Sequence, residues 1–515
     1  MPTKNAMQEK GYRSALYLYQ IPLNPMPRKL KHVLLKPWFL ALPVTLLVIF
    51  LMPDIFSKYK IELVEKVPQD GQRKLRTHLY DIDHDGYSEK VSSLLDQDGF
   101  LALQIFQEDG GYIDQWNVEG TLLEGDRFIF GDHDKDSLPE IYVFHQLNDR
   151  VFLDCIEPLD KFSPFTFQNR FICELNREYA EPDPAITALQ FADINQDGHR
   201  DLLFTIHAGT SKFPRRLIWY DIFHDSLHST KDMGNFICPH AVDLTGDEKL
   251  EIIGRCGSAG NIHDSLRYPF HDYSAWLMAF DHKLDFLFEP IEFPGFRSTI
   301  WVYPYQLKNE TALLVFHNHI GPLKNFPKLM LFDKQGKVIQ KTVFPESDKT
   351  HRSLISLPDN QAHPFVILHE TGMLVLLNKK LKVTDSIQTN QRLFSRLYPM
   401  DLDDNGELEY VIPGKDNNLL VFDHHFENPA LYSFKGDRPH TGSYQLLKRG
   451  AKPPLLFVQA KNSYYLLSYI FNPLYYFKYL ICAGIFLFIW LFILLIRKLQ
   501  LVQLEKKNRI RNEIV

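Results

Sequence analysis

The stretch "YDIDHDGYSEKV", residues 80–91, places acids at alternate positions, then a glycine, then another acid and an apolar residue. Four further segments share this spacing when aligned on the first acid. They are "DHDKDSLPE" from Asp132, "DINQDGHRD" from Asp193, "DLTGDEKLE" from Asp243 and "DLDDNGELE" from Asp401. Each carries an oxygen-bearing side chain at positions 1, 3, 5 and 9, and each runs into a β-rich segment such as "IYVF" or "LLFT". The starts lie 51, 61, 50 and 158 residues apart, so the last gap equals about three periods. Degenerate copies fill the pattern: "YQLKNETALLVFHN" from Tyr305, "SLPDNQAHPFVILHE" from Ser356 and "LLKRGAKPPLLFVQA" from Leu446.

Strands and turns alternating at a period near 50, with almost no helical pattern, describe four-stranded units. Radial stacking of such units makes an all-β propeller. Seven or eight blades are expected, with eight favoured. The segment "KIELVEKV", residues 60–67, is the candidate for the strand that closes the ring.

The acidic spacing has a physical use. In a tight turn, side chains at positions 1, 3 and 5 converge on one point, and glycine at position 6 supplies the positive φ that reverses the chain. Position 9 returns a last carboxylate to the same point. Such hard oxygen sets suit Ca²⁺ better than Zn²⁺ or Mg²⁺. The candidate ligands are Asp81, Asp83, Asp85 and Glu89; Asp132, Asp134, Asp136 and Glu140; Asp193, Asn195, Asp197 and Asp201; Asp243, Asp247 and Glu251; and Asp401, Asp403, Asn405 and Glu409. Ser137 replaces the glycine in the second loop, and Thr245 and Glu248 occupy positions 3 and 6 in the fourth. The alternative is a metal-free turn held by Asx hydrogen bonds.

These residues resemble the FG-GAP (VCBS-type) repeats of integrin alpha-subunit propellers and of many bacterial exported proteins, over roughly residues 79–469. The resemblance implies a calcium-stabilised propeller that binds proteins or glycans.

Two apolar runs flank the repeats: "PWFLALPVTLLVIFLMP", residues 37–53, and "YLICAGIFLFIWLFILLI", residues 479–496. Both are expected to cross a membrane as helices, over 37–53 and 474–496, the second preceded by a belt of tyrosines. A signal peptide is the other reading of the first run, though no small-residue cleavage site follows it. Residues 1–36 hold seven Lys/Arg against one Glu, and residues 497–515 hold six against two. The positive-inside rule then puts the basic segment 1–36 and the juxtamembrane helix 497–515 in the cytoplasm, with the propeller, residues 60–470, outside it. The two cysteine pairs of the exported part, Cys155/Cys173 and Cys238/Cys256, each lie 18 residues apart. They read as disulfides between neighbouring strands or as four buried thiols. Cys482 lies inside the second apolar run.

The tail "RKLQLVQLEKKNRIRNEIV" resembles the juxtamembrane helix of bacterial sensor histidine kinases; a plain basic stop-transfer tail has the same composition. The expected function is therefore a membrane-anchored sensor or ligand-binding propeller, the input part of a signal-transducing receptor, with a non-signalling adhesion protein as the alternative. Expected partners are the membrane, an extracytoplasmic protein or glycan and a second copy of the chain through the second membrane helix, but no nucleic acid. No hydrolase, zinc-protease or redox motif occurs, so catalysis is not expected. "HNH" (317–319) and "DHH" (423–425) read as turn residues between strands, with transition-metal binding as the alternative. The long segment "GSAGNIHDSLRYPFHDYSAW", residues 257–276, is the candidate ligand-facing insertion, with a self-packed surface loop as the alternative.

Overall fold

The computed structural model describes residues 36–52, 56–68, 74–95, 101–125, 128–176, 183–208, 213–262, 264–295, 297–308, 310–319, 327–344 and 351–514. The expectation for the basic segment before Lys36 lies outside these residues. The chain divides into a compact β unit, Tyr59–Phe471, and a unit formed by the two ends.

In the β unit, antiparallel four-stranded sheets follow one another along the chain. The first is Lys74–Tyr80, Glu89–Leu95, Leu101–Phe106 and Tyr112–Val118. Burial within a sheet falls from its middle outward. The second strands Glu140–Leu147, Asp201–Ala208 and Glu409–Gly414 are buried on almost every residue, on both faces. The outer strand Val338–Val343 is exposed throughout. This is the signature of sheets stacked face to face, where an inner strand meets a neighbour on each side and its sequence becomes continuously apolar instead of alternating. Such stacking defines the propeller. Apolar clusters sit between successive sheets; Val143, Ile105 and Trp116, for instance, join the first to the second.

The ring closes as the sequence suggests. Strand Tyr59–Pro68 pairs antiparallel with Ser463–Phe471, from Tyr59 opposite Phe471 to Pro68 opposite Ser463. It completes the sheet of Pro439–Arg449, Lys452–Ala460 and Ser463–Phe471. Gln445 then ties this last sheet to the first. Its Oε1 accepts the Leu79 N–H at 2.7 Å and its Nε2 donates to the Thr77 carbonyl at 2.8 Å. One amide side chain thereby satisfies two strand groups that lack a ladder partner there.

Among the described residues the strands form seven sheets of four to six strands and one two-stranded ribbon. The favoured eighth blade does not stand as a separate four-stranded sheet. Its strands Ile237–Val242 and Glu251–Gly257 share a six-stranded sheet with the next unit, joined at the pairs Cys256–Ile300 and Gly257–Thr299 and by the Ser258 N–H on the Ser298 carbonyl. The ribbon Ser274–Leu277 with Ile291–Pro294 lies after the long insertion.

One expectation needs correction. All cysteines are free thiols. Cys173 stands opposite Val151, four positions along the strand from Cys155, too far for a bridge. Cys238 stands opposite Arg255, so Cys256, one residue on, points to the other face of the sheet. Sequence spacing set the strands beside each other but not their register. The membrane segments stand in part. The C-terminal helix Lys478–Ile514 has 37 residues, about 55 Å at 1.5 Å per residue. It is the one described helix long and apolar enough to cross a membrane. The first helix, Pro37–Phe50, has 14 residues, about 21 Å against a hydrocarbon core of about 30 Å. The run expected to span as 37–53 therefore falls short as a helix.

Candidate metal centre

Each acidic loop joins the first strand of its sheet to the second, so position 9 is the first residue of that buried strand. This placement explains two hydrogen bonds common to all five loops. The carboxylate at position 9 accepts the N–H of position 2: Glu89 from Ile82 (2.7 Å), Glu140 from His133 (3.0 Å), Asp201 from Ile194 (2.9 Å), Glu251 from Leu244 (2.7 Å) and Glu409 from Leu402 (2.7 Å). The carboxylate at position 1 accepts the N–H of position 6, from 2.9 Å at Asp401–Gly406 to 3.4 Å at Asp81–Gly86. Position 6 has positive φ throughout, at Gly86, Gly198 and Gly406 and also at Ser137 and Glu248. Position 4 has it too, at His84, Lys135, Gln196, Gly246 and Asp404, which the sequence reading missed. Histidine and aspartate are among the non-glycine residues that adopt it most readily.

The loops differ in what converges. Asp81, Asp83 and Asp85 bring carboxylate oxygens within 4.8 Å of one another, as do Asp132, Asp134, Asp136 and Glu140, and Asp401, Asp403 and Glu409. In the third loop, Asp197 instead meets Asp221 and His224 of the same sheet. Among the described residues, no such acidic group forms at Asp243. There Thr245 Oγ1 donates to Asp247 at 2.8 Å and lies 3.4 Å from Glu251, and the Thr245 N–H also bonds Glu251. A hydroxyl thus occupies the oxygens that elsewhere face inward.

Several of those oxygens have no donor. Glu140 is fully buried and its Oε1 is unpartnered; Asp403 Oδ1, Asp193 Oδ1 and Asp201 Oδ1 are likewise buried without a partner. Leaving a carboxylate oxygen unpaired in such a place is costly. Burial, with the neighbouring charges of Asp403 and Asp401, pushes the Glu409 carboxyl up to about 8. Burial, with Asp83 and Asp85, pushes Glu89 up to about 7. Without a cation the cluster retains protons near neutrality. At the first loop, Lys448 Nζ stands 3.4 Å from Asp81 and supplies part of the missing positive charge.

The other candidates resolve differently. The insertion folds on itself: the buried Asp272 accepts the N–H groups of Asn261 and Ile262 and its own N–H bonds Ser265 Oγ. Leu266 and Tyr273 remain exposed on it. "HNH" is not a turn. It ends the strand Thr311–His319, with His317 buried and bonded to Ser298 Oγ at 2.7 Å. "DHH" does lie in a turn, where Asp423 Oδ1 accepts the Glu427 N–H at 2.7 Å.

No family model matches the sequence. No curated protein matches it either. Solved propellers resemble it at low identity. The N-terminal part of BBS1, crystallised with ARL6, is 10% identical, with 81% of this chain and 98% of that one covered and a TM-score of 0.41. The Dos1 propeller is 11% identical over 79% and 95%, with a TM-score of 0.42. Sqt1 from Chaetomium thermophilum is 10% identical over 79% and 99%, with a TM-score of 0.45. These likenesses concern the fold.

Proposed function

We propose that the chain is a membrane-anchored binding propeller of the FG-GAP type, the extracytoplasmic input part of a signal-transducing receptor, with calcium holding its acidic loops. The observation that carries this reading is the C-terminal helix. It begins at Lys478, seven residues after the last propeller strand ends at Phe471, and continues through the charged residues past Ile496. A bilayer core consumes about 20 residues of it. The remainder extends a rigid rod beyond the membrane, as a transmitting element requires and a simple anchor does not.

The two-pass arrangement belongs to the same proposal. Pro37–Phe50 packs against the C-terminal helix, with Ala41 and Thr45 buried and Thr45 Oγ1 bonded to the Ala41 carbonyl. Small residues one turn apart are how membrane helices approach closely. The first helix then enters the bilayer beside a full-length partner, and its basic flank stays on the cytoplasmic side. We assign eight blades, taking the six-stranded sheet as two blades joined at one corner and the ribbon as the outer part of the first of them.

Calcium fits the Asp81, Asp132 and Asp401 loops. Their donor sets are all oxygen, and the buried oxygens of Glu140 and Asp403 lack any other partner. When bound, the ion supplies the charge that lets these carboxylates ionise together and fastens the first hairpin of each blade. The ligand is a protein or glycan bound by the rigid surface, without chemistry. A reporter active only outside the cytoplasm tests the topology. Fused at Val515 it should be silent, and inserted after the exposed Lys379, in the turn before the outer strand Val383–Gln388, it should be active. The opposite result excludes the proposed orientation.

A further inference from the structure

We propose that the Asp193 loop carries a different ion from the others: a first-row transition metal of the Zn²⁺ class, ligated by Asp197, Asp221 and His224. Their donor atoms lie within 4.8 Å of one another, with His224 Nδ1 at 3.2 Å from Asp197 Oδ2 and 2.9 Å from Asp221 Oδ2. The three come from separate pieces of one sheet. Asp197 is position 5 of the acidic loop, Asp221 ends the strand Arg215–Asp221, and His224 lies in the turn before Ser226–Ser229. A second observation comes from the same loop. Asp201 is fully buried; its Oδ2 is used by the Ile194 N–H, but its Oδ1 has no partner.

The arrangement is built rather than incidental. The His199 ring stacks on Phe223 at 3.9 Å and 4°, clamping the acidic loop to the turn that carries His224. The His224 N–H is fixed by Asp221 Oδ1 at 2.8 Å, and the His199 N–H by Asp197 Oδ1 at 2.7 Å. Position 3 is the neutral Asn195, whose Nδ2 lies 3.0 Å from Asp197 Oδ2 and 2.9 Å from Asp221 Oδ2. The loop thus lacks the third-position carboxylate of the three calcium candidates and draws a carboxylate and an imidazole from the neighbouring hairpin instead. Imidazole nitrogen favours zinc and its neighbours over calcium, which prefers an all-oxygen shell. His224 is half exposed, so an ion can reach it from solvent.

The inference shares the loop fold with the calcium reading but not its ion. The test is calorimetric titration of ZnCl₂ into the full-length protein in detergent, first stripped with chelator and then held in excess calcium. One zinc per chain should bind despite the calcium. His224→Ala and Asp221→Asn should each weaken it by at least about tenfold, the lower end of losses seen on disturbing even the outer partners of a metal ligand. Because His224 is exposed, its variant should melt like the parent in chelator. Absence of zinc uptake in excess calcium, or uptake that neither substitution weakens, overturns the proposal. Zinc uptake without calcium-dependent melting leaves it standing and removes the calcium reading, and the converse pair of results does the reverse.

Discussion

The Asp401 and Asp243 loops share one backbone and put it to different uses. In both, position 9 accepts the N–H of position 2, position 1 accepts the N–H of position 6, and positions 4 and 6 are left-handed. Yet Asp403 leaves an oxygen buried and unpaired, whereas Thr245 donates its hydroxyl to the carboxylate of Asp247. In both loops the turn is held by hydrogen bonds from backbone N–H groups to the carboxylates of positions 1 and 9. Under the calcium proposal the side chain at position 3 sets the two loops apart.

The largest expected effect is on the pH dependence of stability. In chelator, Glu409 titrates at about 8 and Glu89 at about 7 in the folded protein, against about 4 when unfolded. The folded state holds more protons, so this stability is fully present below about pH 4 and is lost as pH rises through 7 and 8. Excess calcium should flatten or reverse that fall, because the ion takes the place of the protons. Melting temperature followed against pH in both conditions checks this; parallel curves would contradict it.

Exchanging the third positions sharpens the comparison. Asp403→Thr should remove one calcium, losing about 2.7 kcal/mol of calcium-dependent stabilisation at a hundredfold excess over Kd. The reciprocal Thr245→Asp should add a weaker site, worth about 1 kcal/mol at about fivefold excess, and should destabilise the protein in chelator. Calcium stoichiometry and melting in titrated calcium measure both. Asp243→Ala should change the calcium dependence least, while still costing stability through the freed N–H groups of Gly246 and Glu248. A calcium response to Asp243→Ala as large as that to Asp403→Thr would erase the distinction between the loops.

The propeller was legible because its repeat is local. Acids at positions 1, 3, 5 and 9 are dictated by one turn and the strand that follows, and the closing strand shows its own β pattern at residues 60–67. What escaped the sequence depends on register or on contacts between hairpins. Asp221 and His224 join the third loop only because two turns of one sheet meet, and no periodicity announces that. The cysteines lie on neighbouring strands, as expected, but a pleat alternates faces and a ladder can slide, so equal spacing said nothing of their separation. The left-handed residues at position 4 escaped because His84, Lys135, Gln196 and Asp404 carry no glycine to mark them. The insertion offers aromatic and polar groups in abundance, yet the buried Asp272 gathers its own backbone, leaving Leu266 and Tyr273 exposed.

The most direct test of the account is the melting temperature of the full-length protein in detergent, in excess calcium and in excess chelator at neutral pH. Unpartnered, buried carboxylate oxygens in loops otherwise complete predict a clear rise with calcium, reduced by Asp403→Thr. Equal melting temperatures in the two conditions would show that the acidic loops are ordinary turns.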